Sequence, residues 1–362
     1  MLIGISIFSL FRCAPRTTTG GRMQESAADR EAAYARYPEA LYPVRVKGRW
    51  GYINRRAEMV IPPEWESAGD FVEDLAIVQR EGKFGAVDRS GQVIIPPMYE
   101  RMTPFSEGLA AVRREGQYGF IDRAGREIIP CLYEAAGAFR EGFAGVKING
   151  WTAIIDKTGR VLTTPPLTID VNAVEYVNGR TRAFGADELT GFLDTTGTWV
   201  IEPRFHSAGR FNEGLAWAMV REEDPAAEHG FVIRGGFIDT SGQFVIPPTY
   251  DFGWDFTGGH AVVWKRSADR QQKVWSVLDK VGRVVLEGLN YRSMGALHEG
   301  LIAIQYDDMQ WGFMDLSGNV VIPPEYTGVN LFRDGLARME KGDAFDTEIV
   351  YINPKGEVVW SE

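Results

Sequence analysis

The chain is poor in the residues that build cross-linked or metal-bound scaffolds, with two cysteines, Cys13 and Cys131, and four histidines among its 362 residues. Cys131 has no cysteine near it in sequence, so neither a disulfide framework nor a cysteine zinc site can be assembled. His206, His229, His260 and His298 include no pair at metal-ligand spacing, so no metal and no cofactor is expected. Long apolar runs are missing too: Leu2 to Phe11 is ten residues, about half of what crosses a bilayer. Lys/Arg-rich runs are absent, and the charge is −10 overall. Residues 1–47 hold seven Lys/Arg and four Asp/Glu, which leaves −13 for the rest. An acidic body without a basic patch repels phosphate backbones, which argues against nucleic-acid binding. There is no Gly-x-Ser-x-Gly elbow, no phosphate-cradling Gly-x-x-x-x-Gly-Lys and no strand–helix setting for a dinucleotide fingerprint, so the chain reads as non-enzymatic.

What the chain does have is glycine and proline, 41 and 18 residues, about 16% together against the usual ~12%. Their cause is repetition. The segment Gly82 to Pro97, with Asp88-Arg89-Ser90-Gly91 at its centre, recurs 34 residues later around Asp122-Arg123-Ala124-Gly125. The marker Asp or Asn appears nine times, as Asn54, Asp88, Asp122, Asp156, Asp194, Asp239, Asp279, Asp315 and Asn353. Self-similarity at such a period signals stacked supersecondary units in place of separate domains.

Within a unit, Asp-x-x-Gly joins two short apolar segments, the aspartate capping its own turn and the glycine accepting positive φ. A Pro pair follows in Pro62-Pro63, Pro96-Pro97, Pro247-Pro248 and Pro323-Pro324, and is expected to stop the strand. An aromatic comes eleven residues past the marker (Trp65, Tyr99, Tyr133, Phe205, Tyr250, Tyr326) and a phenylalanine seventeen past it (Phe71, Phe105, Phe139, Phe211, Phe256, Phe332). Each unit therefore reads as a three-stranded antiparallel meander, as in Leu109–Arg113, Tyr118–Ile121 and Glu127–Ile129. The predicted fold is all-β: a tandem array of about nine meanders over residues 42–360, propeller-like blades forming either a closed ring or an open superhelix.

Trp50-Gly51-Tyr52-Ile53-Asn54 and Trp311-Gly312-Phe313-Met314-Asp315, with Val-Ile-Pro-Pro and Phe-Ser-Glu-Gly-Leu-Ala segments downstream, resemble the WG-repeat (KWG) family of bacterial proteins. The resemblance covers essentially all of residues 42–360. It implies a β-repeat with binding or scaffolding roles and no catalytic residues to carry over. Departures are Phe84 and Tyr118 for Trp, Thr152 and Ser276 for Gly, and Leu286-Glu287 for Pro-Pro.

Residues 1–41 read as a leader: a weak export signal, with Arg12 where a lipoprotein site needs a small residue, or a mis-assigned start with translation from Met23. The second reading favours the cytoplasm over export to the periplasm or cell surface. No membrane span is expected. The marker aspartates read as turn caps and not as calcium ligands, because alternating oxygen ligands are missing. Glu73, Glu107, Glu141, Glu213 and Glu299 read as turn or interface residues.

Candidate partner-binding residues come from departures from the repeat. The marker-to-Phe spacing is fixed at 17 in six units, so length variation falls in the hairpin between first and second meander strands, longest at 221–234, then 265–273 and 340–348. Insertions on one edge of a rigid repeat scaffold mark a binding face. Glu222, Glu223, Asp224 and His229 lie in the longest; His260 and the non-repeat tryptophans Trp217, Trp254 and Trp264 lie in the same units. Exposed Trp anchors interfaces, and buried Trp fills cores, so the indoles carry both readings. The expected function is a scaffold binding a protein or peptide; the alternative is an exported carbohydrate- or envelope-binding module.

Overall fold

The computed structural model describes residues 40–162, 171–185, 187–225, 227, 229–267, 272–342 and 347–362. The expected leader falls, but for its last two residues, outside the described residues. Residues Glu39–Glu362 form one compact unit of nine small antiparallel sheets in chain order, the blades of a nine-bladed ring. Blade 3 is representative: inner strand Arg101–Met102, second strand Leu109–Arg114, third strand Gln117–Asp122 and outer strand Glu127–Tyr133. The sequence resolves the last three as a meander, and the structure adds the two-residue inner strand. Six sheets have four strands; blades 1, 4 and 5 have three among the described residues.

The Pro pairs do not stop the strand. Met59–Trp65 runs through Pro62-Pro63 and Val320–Tyr326 runs through Pro323-Pro324. The reason lies in the register: Tyr118 pairs Tyr133 and Phe120 pairs Ile129, so Gly119 alone faces Pro130, Cys131 and Leu132. This bulge adds two residues to an edge strand, where residues need no ladder N–H and proline is tolerated. Its backbone lies directly on the glycine, so a Cβ at Gly119 would sit 2.5 Å from the Ile129 oxygen and 2.6 Å from the Cys131 nitrogen. The same bulge covers Gly51, Gly85, Gly191, Gly236 and Gly312. The departures follow from it. Thr152 stands in blade 4, whose outer position holds only the Ile155–Val161 bridge; Ser276 stands in blade 7, whose bulge is one residue shorter; Val350 pairs regularly with Ser361 in blade 9.

The repeat phenylalanine joins its blade to the one before it in the six blades that carry it. Phe139 is fully buried with its ring 4.8 Å from Phe120, and Phe71–Tyr52, Phe211–Phe192, Phe256–Phe237 and Phe332–Phe313 repeat the contact at 4.7 to 4.9 Å. Tilted and edge-on aromatic pairs at this separation add to simple burial. The Asp-x-x-Gly turns are as expected: Asp88 Oδ1 accepts the Ser90 hydroxyl and the Ser90 and Gln92 N–H groups, which hold its carboxyl below the usual range.

Ring closure is where the two ends of the body meet. Tyr42, Val44 and Ile53 of blade 1 share a core with Leu336 and Tyr351 of blade 9. The Tyr42 hydroxyl donates to the Asp334 carbonyl at 2.6 Å and the Tyr351 hydroxyl to the Pro43 carbonyl at 2.8 Å. Burial pushes both phenols well above their usual range. Every sheet is built from consecutive strands, so no strand exchange locks the seam. Side-chain packing and side-chain hydrogen bonds, without a shared strand, close a ring larger than the usual four to eight blades.

Candidate functional site

The antiparallel order places second-to-third hairpins on one face of the ring and the Glu-Gly and Asp-x-x-Gly turns on the other. On the hairpin face blade 6 stands out. Its strands Leu215–Glu223 and Phe231–Asp239 pair over nine residues, against six in blade 3, projecting it about 10 Å further at the usual strand rise. Arg221 stacks on Phe231 at 3.7 Å, and the His229 ring lies 6.3 Å from the same phenylalanine. At its base Asp251 pairs with Arg234 at 2.6 Å and accepts the Arg266 N–H of the blade 7 hairpin at 2.8 Å. One carboxylate thus ties both extended hairpins together and fixes their relative position.

The predicted residues separate into five places. Glu222 and Glu223 are exposed at the end of the blade 6 hairpin, with Asp224 and His229 at its tip. Trp264 is half-buried in the blade 7 hairpin, 6.2 Å from Trp275 and under Lys273. Trp254 lies on the inner side of blade 7, 41% exposed, and its indole N–H donates to the Met294 carbonyl of blade 8 at 2.8 Å. The equivalent positions hold Thr103, Gly137, Gly209 and Asn330, so this indole is specific to blade 7. His260 starts the strand His260–Arg266 on the opposite face, with Nδ1 2.8 Å from the Gly258 carbonyl, and does not belong to the hairpin edge.

Trp217 is the main correction. It is 8% exposed and packs on Phe237 in the core between blades 6 and 7. Gly235 stands where other blades carry Trp50, Tyr118 or Trp311, and Trp217 fills that space from the neighbouring strand: any Cβ at Gly235 would collide with the Trp217 indole. Trp217 therefore presents nothing to a partner. Alanine at Glu222 or Glu223 is expected to leave stability within about 0.5 kcal/mol by urea unfolding, since neither side chain is packed.

Two polar systems join the blades: the first escapes sequence reading, and the second gives the glutamates read as turn or interface residues their partners. Along the inner strands Arg140, Glu175, Arg210 and Asp255 form a chain of ion pairs from blade 4 to blade 7, at 3.8, 3.0 and 3.4 Å. Burial raises the Asp255 carboxyl although Arg210 opposes it. These residues flank the repeat aromatic, a position that varies between units and so shows no period. The second system is a set of carboxylate latches. Glu73 accepts the Glu107 and Gly108 N–H groups of the next blade at 2.6 and 2.9 Å, Glu107 that of Gly142, and Glu141 those of Asn178 and Gly179. Glu213 holds Gly259 and Glu299 holds Gly335 likewise. On the hairpin face Glu66, Glu100 and Glu134 hold Gly82, Gly116 and Gly150.

The latches make a pH prediction. Desolvation opposes ionisation of Glu107, yet the Gly142 N–H and the Lys157 ammonium hold its carboxyl below the usual 4.5. A folded value below the unfolded one gives stability that is present above pH 4.5 and lost as pH falls through the folded value. Glu107→Gln is expected to cost about 0.5–1 kcal/mol at pH 7, given partial exposure, and nothing once wild type is protonated. Thermal melts at pH 7 and pH 3 check the convergence.

Among the described residues no group of three or more His, Cys, Asp or Glu could hold a metal ion, and no helix is long and apolar enough to cross a membrane. No curated protein matches the chain. Solved propellers superpose loosely. BamB from Moraxella catarrhalis is 15% identical, with a TM-score of 0.42 over 76% of this chain and 93% of that one. The β-propeller domain of the Trilobed protease from Pyrococcus furiosus is 9% identical, with a TM-score of 0.43 over 89% and 98%. Likeness at this level carries no functional information. The family model for the WG containing repeat matches residues 50–84, 84–118, 118–150, 191–222, 236–265 and 311–343. Those six matches begin in blades 1, 2, 3, 5, 6 and 8, the blades whose third strand carries the glycine under the bulge. The chain belongs to the WG containing repeat family.

Proposed function

We propose that the ring is a non-catalytic scaffold that binds a protein or peptide partner on its hairpin face, at the extended hairpins of blades 6 and 7. The observation that carries this reading is the Asp251 tie between them. Two projections held at a fixed separation form a preorganised surface, which lowers the entropic cost of binding. Glu222, Glu223, His229 and the half-buried Trp264 supply its polar and aromatic contacts. Of the ten tryptophans that a carbohydrate site could draw on, Trp65, Trp217 and Trp275 are buried in the core and withdrawn from such a role.

The test is affinity capture with the full chain and with a variant whose residues 222–232 are replaced by a two-residue Asn-Gly turn, which keeps Arg221 opposite Ile233. Both must show the same melting temperature. A partner held by the full chain and lost by the trimmed one supports the proposal. An identical set of bound proteins contradicts it.

A further inference from the structure

The turn face carries a regularity with two breaks. Its two-residue turns put a non-glycine residue and a glycine at positive φ in succession, as at Glu107-Gly108 with φ 54° and 83°. Consecutive N–H groups in such a turn form a concavity for an anion. Five of these turns hold a carboxylate from the preceding blade, and three on the hairpin face hold one from the segment before their own blade's second strand. Each supplying glutamate on the turn face sits at the first position of the preceding blade's own turn.

In two blades that position has no carboxylate. Glu213-Gly214 of blade 6 follows Asn178-Gly179, and Glu299-Gly300 of blade 8 follows Gly258-Gly259. Both turns have the same backbone as the others, with φ of 51° and 88° at Glu213 and Gly214 and of 47° and 82° at Glu299 and Gly300. No described carboxylate of this chain reaches their N–H groups. Lys280 lies beside the first, its ammonium 3.1 Å from the Glu213 carbonyl oxygen and paired with the Glu213 carboxylate at 3.1 Å.

We propose that the Glu213-Gly214 and Glu299-Gly300 turns, flanking blade 7 on the face opposite the extended hairpins, are docking points for carboxylates of an acidic segment in a protein partner. The ligand they are built for is the one their siblings hold. Recognition is by backbone donors, so it selects the carboxylate group and not a particular side chain, and two such points favour a segment with acidic residues spaced to reach both.

The test uses the full chain labelled with 15N-glycine and titrated with sodium acetate, then with a soluble tetraglutamate peptide. The Gly214 and Gly300 amide signals are expected to shift and saturate, with the peptide acting at lower concentration, while Gly108 and Gly335, already engaged, stay in place. Asn178→Glu is expected to abolish the Gly214 shift alone and Gly258→Glu the Gly300 shift alone, each raising the melting temperature by completing a latch. A Cβ at Gly258 meets only Leu297, at 3.4 Å, and glutamate already adopts the required φ in the sibling turns. If one glutamate variant is poorly folded, the other carries the test at its own turn. Shifts that spread over all glycines, or that survive the blocking variants, overturn the proposal. Saturation by acetate without tighter response to the peptide reduces the turns to simple anion sites and overturns the partner assignment. Trimming residues 222–232 leaves these shifts unchanged, so the outcome is independent of the hairpin-face proposal.

Discussion

Replacing Gly119 with alanine is expected to lower the unfolding free energy by about 3 kcal/mol or more, a cost at the upper end for overpacking. The Cβ would meet the Ile129 oxygen at 2.5 Å and the Cys131 nitrogen at 2.6 Å, both main-chain atoms of a bulge pinned by the Tyr118–Tyr133 and Phe120–Ile129 pairs. A flexible side chain could move aside; this backbone cannot without breaking its register. The control lies three residues upstream. Gly116 sits at φ 81° with only the far end of Arg113 near the position a Cβ would take, so alanine there meets conformational strain alone, about 1–2 kcal/mol. Equilibrium urea unfolding of the two variants separates the close approach from the backbone preference. Similar losses for both would remove the bulge as the reason for the glycine.

Trp217→Ala is expected to cost about 3–5 kcal/mol, the range for emptying a large aromatic site in a core. Its defining feature is coupling to Gly235. The pair Trp217 and Gly235 replaces the arrangement of blade 3, where Ala111 and Tyr118 occupy the same two positions. Trp217→Ala with Gly235→Trp restores that arrangement and is expected to recover much of the loss, whereas Gly235→Trp alone forces two indoles into one space. Such non-additivity is the signature of groups sharing one cavity. An additive double variant by denaturant unfolding would mean that the two positions do not exchange a side chain.

The same pair shows how far the sequence could be read. The repeat, its Asp-x-x-Gly turns and the phenylalanine seventeen residues on were legible, because local geometry forces these residue types at fixed spacing. Trp217 was legible only in part. Its lack of a counterpart left an interface anchor and a core filler both open, and the missing aromatic at Gly235, which decides for the core, emerges only when both strands are laid side by side. The Pro pairs misled because proline normally ends a ladder, while a wide bulge on an outer edge leaves it nothing to break. The inner strands were missed since two residues such as Arg101–Met102 leave no pattern. Within the site, the Arg140 to Asp255 chain varies from blade to blade, and Asp251 was hidden in a repeating acid after the outer-strand aromatic, as in Glu66, Glu100 and Glu134.

Ring closure was the least legible property, since it depends on contacts between residues nearly 300 positions apart. It also carries the account: a rigid ring is what holds the hairpins of blades 6 and 7 in one arrangement. Native-state hydrogen exchange on Leu336→Ala tests it most directly. Leu336 of blade 9 packs on Tyr42, Val44 and Ile53 of blade 1 across the seam. In a closed ring, amides of Leu41–Val46 and Arg49–Asn54 lose protection together with those of blade 9, because both rely on one interface. In an open array the two ends are independent, and blade 1 protection unchanged by the substitution would contradict the ring.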